Sequence, residues 1–161
     1  MNTSFEEIYE IFFDKIAKDE DFFSYEELLD SEAMDIAYQR AEALLKSAIA
    51  RLTNYCVPEV DFYDFDINTK QFNFQCTEIE KDLISELMKE ELLNQDEMRL
   101  KVVHGYFNTK DLKTFSPAKE RETFVGMLKT IHDRNNTKIE SYIAKDRKTG
   151  KYKTLNFDYE E

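Results

Sequence analysis

The stretch from Thr77 to Val103, TEIEKDLISELMKEELLNQDEMRLKVV, decides the fold class. Thr77 and Glu80 form a capping box, in which each side chain accepts a hydrogen bond from a backbone N–H that the first turn of a helix leaves free. The apolar residues that follow recur every three or four positions, as on one face of a helix. These residues are Ile79, Leu83, Leu87, Met88 and Leu92. The pattern predicts a long helix that continues through Val103 and stops at Gly105.

The region before this stretch also predicts helices. Ser4 with Glu7 and Ser24 with Glu27 form two further capping boxes, the first opening a helix and the second a short helical piece. A longer helix is predicted from about residue 31 to residue 54. Its apolar stripe consists of Met34, Tyr38, Ala41, Leu45, Ala48, Ile49 and Leu52.

A last long helix is predicted from about residue 117 to residue 146. Ser116 resembles an N-cap, and Pro117 suits the first helical position because its missing N–H would be unpaired there anyway. The predicted inner face of this helix consists of Val125, Leu128, Ile131, Asn135, Ile139, Tyr142 and Ile143. Its outer face is strongly charged.

Two segments outside the long helices have a different pattern. Residues 61–76, DFYDFDINTKQFNFQC, alternate with period two around a turn-like Asn68-Thr69. They predict a small β-hairpin or an extended loop, which must lie on the helices or pair with a neighbour because one hairpin alone is marginal. Residues 147–151 read as a turn, and residues 152–159 alternate apolar and polar side chains, as in an extended arm.

The predicted fold class is therefore mainly α, with about four helices in a bundle, a small hairpin or loop and an extended C-terminal arm. We assign residues 1–146 to one helical domain, with the hairpin or loop at 61–76 inside it, and residues 147–161 to the arm. A chain of 161 residues is long enough for one domain with one core. It has no apolar run long enough to span a membrane.

The charge is unevenly distributed along the chain, whose formal net charge is -12. Residues 1–98 carry 25 acidic and 8 basic side chains, whereas residues 99–153 carry 6 acidic and 14 basic ones. Such polarity can be satisfied within one molecule or head-to-tail between copies. It disfavours a dedicated DNA-binding protein, because the overall field repels phosphate.

No motif in the sequence identifies a catalytic site, a cofactor or a metal. The two histidines, His104 and His132, are not at ligand spacing and are interpreted as structural. Cys56 and Cys76 form no CxxC motif and are predicted to be reduced thiols. Paired carboxylates are frequent, but in so acidic a chain they are typical of a solvated face. An enzyme using carboxylate chemistry is the least supported class, and we predict no enzymatic activity and no cofactor.

The aromatic residues outside the long helices are candidates for a partner interface, because aromatic side chains are common interface anchors. The candidates are Phe62, Phe65, Phe72, Phe74, Tyr152, Leu155, Phe157 and Tyr159. The alternative is that they pack on the helices of their own chain.

Two stretches resemble a known family. They are TEIEKDLISELMKEELL (77–93) and KDLKTFSPAKERETFVGMLKTIHDRNNTKIESYI (110–143). An acidic helix start, a hydrophobic LM…L pattern, a Lys-Asp-hydrophobic-Lys-x-aromatic-Ser run and a long Lys/Glu-rich helix resemble the head–tail connector (neck, or head-completion adaptor) proteins of long-tailed phages and prophages, mainly of Gram-positive hosts. Pro117 stands where that family has a polar residue, and Asn108-Thr109 stand where it has a glycine.

The resemblance implies a structural protein that forms a ring of about twelve copies through head-to-tail interfaces. It implies contacts with the portal and with the next neck or tail-completion protein, and a channel through which DNA passes without specific binding. The location would be the virion neck, and the host cytoplasm during assembly. The basic link between the helices, with Lys110, Lys113 and Phe115, would then contact a neighbouring subunit or the portal. The alternative function is a small helical regulatory or anti-defence protein that binds a single protein partner.

Overall fold

The computed structural model describes residues 2–16, 30–106 and 117–154, and within them the side chains of residues 2–16, 31–96 and 122–154. The described residues form four helices and one two-stranded sheet, so the prediction of a mainly α fold with a small hairpin is confirmed. In chain order the elements are α1 (Phe5–Lys15), α2 (Asp30–Tyr55), β1 (Phe65–Asp66), β2 (Gln71–Phe72), α3 (Glu78–Tyr106) and α4 (Pro117–Ile143).

Helix α1 begins where its capping box predicts. The backbone N–H of Glu7 donates to Ser4 Oγ over 3.3 Å, and the backbone N–H of Ser4 donates to Glu7 Oε1 over 3.1 Å. Phe5, Ile8 and Phe12 are fully buried and form one wall of the core. The second predicted capping box, at residues 24 and 27, lies outside the described residues.

Helix α2 matches its predicted range to within one residue at each end. Most of its predicted stripe is buried, and Ala37 and Leu44 join it. Met34 was assigned to this stripe wrongly, because 40% of its surface is exposed. Three small residues in the buried stripe, at positions 37, 41 and 48, allow the neighbouring elements to approach the α2 backbone closely.

The hairpin is short and is anchored by the start of the chain. Phe65 pairs with Phe72 in antiparallel register. Lys70, in the turn, has a positive φ of 50°. Ser4 forms a bridge with Gln71 on the other side of β2, which gives this strand a second backbone neighbour. Most of residues 61–76 is turn and loop, because its phenylalanine side chains pack into or against the core instead of extending a sheet.

Helix α3 is the central element and packs against α1, α2 and α4. Its capping box is confirmed: the backbone N–H of Thr77 donates to Glu80 Oε2 over 2.7 Å, and the backbone N–H of Glu80 donates to Thr77 Oγ1 over 3.3 Å. Two predictions for this helix are wrong. Ile79 is 55% exposed instead of buried, and the helix does not stop at Gly105 but includes it and ends at Tyr106.

Helix α4 runs antiparallel to α3, and side-chain pairs define the register. Glu80 contacts Tyr142, Glu86 contacts Arg134 and Glu90 contacts His132. The predicted start at Pro117 is confirmed, while the helix ends at Ile143, three residues before the predicted end. The buried positions of α4 are Leu128, Asn135 and Ile139. Val125, predicted to face inward, is 40% exposed.

The segment after α4 folds back and does not extend away from the domain as far as it is described. The N–H of Gly150 donates to the Asp146 carbonyl, which closes the predicted turn. Lys145 and Tyr152 then form an antiparallel bridge, and the N–H of Lys153 donates to the Ala144 carbonyl. Residues 147–151 thus form the predicted turn, and Tyr152 and Lys153 of the predicted arm pair with the end of α4. The rest of the predicted arm, residues 155–161, lies outside the described residues.

Candidate functional site: the charged face of α3

The main polar feature of the protein is a row of four carboxylates on α3, which other elements neutralise. The row consists of Glu80, Asp82, Glu86 and Glu90. Cations reach it from α1, α2, α4 and the turn after α4, so the contacts connect nearly the whole fold. We call this arrangement the charged face.

At the first turn of α3, Glu80 is fully buried and its carboxylate accepts four hydrogen bonds. Oε1 accepts from Tyr142 Oη over 2.8 Å and from Arg147 Nε over 2.6 Å. Oε2 accepts from the Thr77 backbone N–H over 2.7 Å and from Arg147 Nη2 over 2.9 Å. Burial acts to raise the pKa of Glu80, but the hydrogen bonds from Arg147, Thr77 and Tyr142 outweigh it, so the pKa is lowered.

In the middle of the charged face, one lysine of α1 bridges two carboxylates. Lys15 Nζ lies 2.6 Å from Asp82 Oδ1 and 2.8 Å from Glu86 Oε1. From α4, Lys138 contacts Asp82 over 3.1 Å and Arg134 contacts Glu86 over 2.8 Å. Burial opposes ionisation of both carboxylates, yet the hydrogen bonds from Lys15 keep the pKa of each lowered.

At the inner end, Glu90 connects three helices. Only 2% of its side chain is exposed, and it pairs with Arg51 of α2. From α4, His132 Nδ1 lies 2.8 Å from Glu90 Oε1, and Asn135 Nδ2 donates to Glu90 Oε2 over 2.7 Å. Arg51 also donates to Asn136 Oδ1 over 2.9 Å. A buried carboxylate with this many donors fixes the relative position of α2, α3 and α4.

The charged face is suited to holding helices together. Glu80, Asp82 and Glu86 have lowered pKa values, because their cationic and hydrogen-bonding partners stabilise the ionised carboxylates against the effect of burial. Within residues 2–16, 31–96 and 122–154, no group of three or more His, Cys, Asp or Glu side chains is placed to hold a metal ion. His132 contacts Arg51 and Glu90, in agreement with the structural role predicted for it.

The described charged pairs answer the question that the charge distribution left open. Arg134, Lys138 and Arg147 of the basic half contact carboxylates of the acidic half in the same molecule. Lys153 does so as well, through Glu59 over 2.8 Å. A substantial part of the sequence polarity is therefore satisfied within one chain. The local sequence predicts only a capping role for Glu80, because its partners Tyr142 and Arg147 are more than 60 residues away.

The predicted aromatic interface divides into different environments. Phe62 and Phe72 are fully buried in the core, so an interface role is wrong for these two, and packing on the chain's own helices, the stated alternative, holds for them. Phe65 and Phe74 are half-buried against the same core, where Phe65 stacks edge-on to Phe5 at 5.4 Å between ring centroids. The hydrophobic effect favours this packing, because it removes part of the Phe65 and Phe74 rings from water.

The remaining candidates are exposed or undescribed. Tyr152 is 70% exposed, and its ring lies 5.3 Å from Lys145 Nζ. The other candidates lie outside the described residues, and their interface role stays a prediction. They are Lys110, Lys113, Phe115, Leu155, Phe157 and Tyr159.

A groove lies beside the charged face, between the first turn of α3, the last turns of α4 and the turn that follows. Its volume is about 280 Å³. Ile79, Leu83 and Tyr142 contribute apolar surface, and Lys138, Lys145 and Arg147 contribute cations; Asp82 and Asp146 also line it. The exposed side chain of Ile79, which the helical pattern assigned to the core, contributes to this groove.

Comparison with family models, with curated proteins and with solved structures finds no match to this chain. None of the helices in the described part of the chain is both long and apolar enough to cross a membrane.

Proposed function

We propose that this protein is a non-enzymatic head–tail connector of a long-tailed phage or prophage. In this role it forms a ring of about twelve copies between the portal and the tail, extends the DNA channel and docks the tail. Its location is the virion neck, and the host cytoplasm before assembly. The resemblance of residues 77–93 and 110–143 to that family is the reason for naming this class.

The observation that carries the proposal is the outer half of the α3–α4 pair. The last buried residue described on α3 is Leu92 and the first on α4 is Leu128. At 1.5 Å per helical residue, α3 continues for about 20 Å beyond Leu92, and α4 begins about 16 Å before Leu128. Two long helices that continue past these buried positions form a suitable assembly element.

The exposed side chains on this outer half suit a protein partner. Val125 and Met127 of α4 are 40% and 42% exposed. Methionine adapts well to irregular partner surfaces because it is unbranched and polarizable. The link at the end of the pair carries Lys110 and Lys113, which attract the acidic surface of a neighbouring copy. The net charge of -12 would let DNA pass the ring without binding.

A double charge reversal in the link tests this proposal. Lys110→Glu with Lys113→Glu should leave the helical circular dichroism spectrum and the thermal unfolding midpoint unchanged but weaken ring formation on the portal. The matched control is Lys110→Arg with Lys113→Arg, which keeps both charges and should assemble as the unmodified chain does. Unchanged ring formation by the charge-reversed protein would show that the link takes no part in the interface between copies.

The alternative is a small helical regulatory or anti-defence protein with one protein partner. The internal pairing of Arg134, Lys138 and Arg147 favours it, because cations that are neutralised within the chain are not free for contacts between copies. Copy number on the partner separates the two functions: a ring of many copies for the connector, and one or two copies for the regulator.

A further inference from the structure

The groove between α3 and α4 leaves the side chain of Ile79 exposed, and a peptide could cover it. Ile79 is 55% exposed on the first turn of α3, and Leu83 and Tyr142 line the same groove. Its volume of about 280 Å³ is enough for one or two large side chains and not for a folded domain. A short segment of chain is therefore the kind of occupant that fits.

The turn that borders the groove carries positive charge that its surroundings do not neutralise. The side-chain ammonium groups of Lys145, Lys148 and Lys151 form no ion pair with a carboxylate in the described parts of the chain, although the backbone N–H of Lys148 donates to Asp146 Oδ1 over 3.1 Å. By contrast, Lys138 and Arg147, which also line the groove, are held by Asp82 and Glu80. An occupant with apolar side chains and at least one acidic group near this turn would complement both features.

We propose that the groove binds residues 155–161 of the same molecule, whose sequence is LNFDYEE. Leu155, Phe157 and Tyr159 stand at alternate positions, so in an extended segment they share one face. Asp158, Glu160 and Glu161 supply the acidic groups. The sequence thus combines the apolar face and the charge that the groove and its bordering turn lack.

The position of the preceding residues favours the same molecule over a second copy. The N–H of Lys153 donates to the carbonyl of Ala144, the neighbour of the groove residue Lys145. Seven extended residues reach about 23 Å, and they begin next to the groove residue Lys145 and its bridge partner Tyr152. A tether this short gives an effective concentration in the millimolar range, so even a weak contact is occupied within one chain.

The consequence is that Ile79 is covered by residues 155–161 in the full chain, while the already buried Leu83 gains a contact with them. This inference does not depend on the connector function, because it concerns the fold of one molecule.

Methyl NMR of the full chain tests the proposal. We expect nuclear Overhauser cross-peaks from the Ile79 and Leu83 methyl groups to the Phe157 ring. Phe157→Ser should abolish them and shift both methyl resonances. The matched control is Val125→Ser, which changes an exposed apolar residue on α4 about 20 Å from Lys138, where the groove begins on that helix. It should leave these signals unchanged.

Mixing methyl-labelled protein with unlabelled protein shows which molecule supplies the Phe157 side chain that contacts the groove. Cross-peaks that persist when labelled chains are diluted into unlabelled chains carrying Phe157→Ser place the segment in its own groove. Their loss on dilution would show that a second copy supplies it and would overturn the proposal. The absence of any cross-peak to Phe157 in the undiluted sample would overturn it as well.

Discussion

Replacing Arg147 with alanine would remove the guanidinium that neutralises the buried Glu80 carboxylate. Arg147 supplies two of the four hydrogen bonds to Glu80, donates a further one to the Gln75 carbonyl and lies over the Phe74 ring. Removing one partner of a buried ion pair costs about 3 to 5 kcal/mol, because the other charge stays buried without compensation. Glu80 keeps its bonds from Thr77 and Tyr142, so we expect the lower end, about 3 kcal/mol of unfolding free energy.

The pH dependence of this loss distinguishes a charge effect from lost packing. The pKa of Glu80 is lowered in the folded protein, so the pair contributes stability above the unfolded pKa and loses it as the pH falls through the folded pKa. The difference between Arg147→Ala and the unmodified chain should therefore be largest near neutral pH. It should shrink as the pH falls, because the buried Glu80 carboxylate takes up a proton at a higher pH without Arg147 than with it.

Urea unfolding followed by far-ultraviolet circular dichroism measures both quantities. Arg147→Lys keeps the charge but loses the forked geometry and should cost less than Arg147→Ala. Lys148→Ala, on the same turn and exposed, is the matched control and should stay within about 0.5 kcal/mol of the unmodified chain. A loss below about 1 kcal/mol for Arg147→Ala, or an equal loss at neutral and acidic pH, would refute the reasoning.

Three further predictions concern the core, the inner end of the charged face and the cysteines. Leu87→Ala, at a fully buried position of α3, should lower the unfolding free energy by about 2 to 5 kcal/mol. Val125→Ala, at an exposed position of α4, should cost less than about 1 kcal/mol in the same urea titration, and equal losses would contradict the assignment of buried and exposed positions. Arg51→Met alone should lower the unfolding free energy by about 3 kcal/mol, because it leaves the buried Glu90 carboxylate without its ion-pair partner. Adding Glu90→Leu should restore part of that loss in a double-mutant cycle, whereas additive losses would show that the two side chains do not interact. Burial raises the pKa of Cys76 to about 12, so at pH 8 iodoacetamide should alkylate Cys76 only after urea is added. Peptide mass spectrometry measures the labelling, and rapid labelling without urea would contradict the burial of Cys76.

The local signals of the sequence predict where helices begin. Both described capping boxes, at Ser4 and at Thr77, open helices, because a capping box is complete within four residues and needs no tertiary partner. Gly105 is the counterexample. A glycine permits the backbone of a helix end but does not enforce it, and inside a helix it costs only about 1 kcal/mol, so α3 continues past it.

The periodic pattern predicts the buried faces less well near helix ends. Leu83, Leu87 and Met88 are buried as predicted, whereas Ile79 and Val125 lie where no described neighbour covers them. Period alone cannot show where a partner helix ends. The same applies to residues 61–76, where alternation predicted strands but the rings of Phe62 and Phe72 pack into the helical core.

The charged face could not be predicted, because its partners are distant in sequence. The sequence shows an acidic half and a basic half, but the pairing of Glu86 with Arg134 or Glu80 with Arg147 depends on the register of α3 against α4. Once that register is known, the positions of Asp82 and Lys138 follow from helical spacing. Sequence alone therefore left open whether the charges pair within one molecule or between copies.

Quantifying this chain in purified particles tests the proposed function most directly. Virions or induced prophage particles from the source would be digested, and peptides of this protein measured by mass spectrometry against peptides of the portal protein. The connector function predicts a ratio near one copy per portal subunit. Absence of the chain from intact particles would contradict it and would leave the regulatory function as the better account.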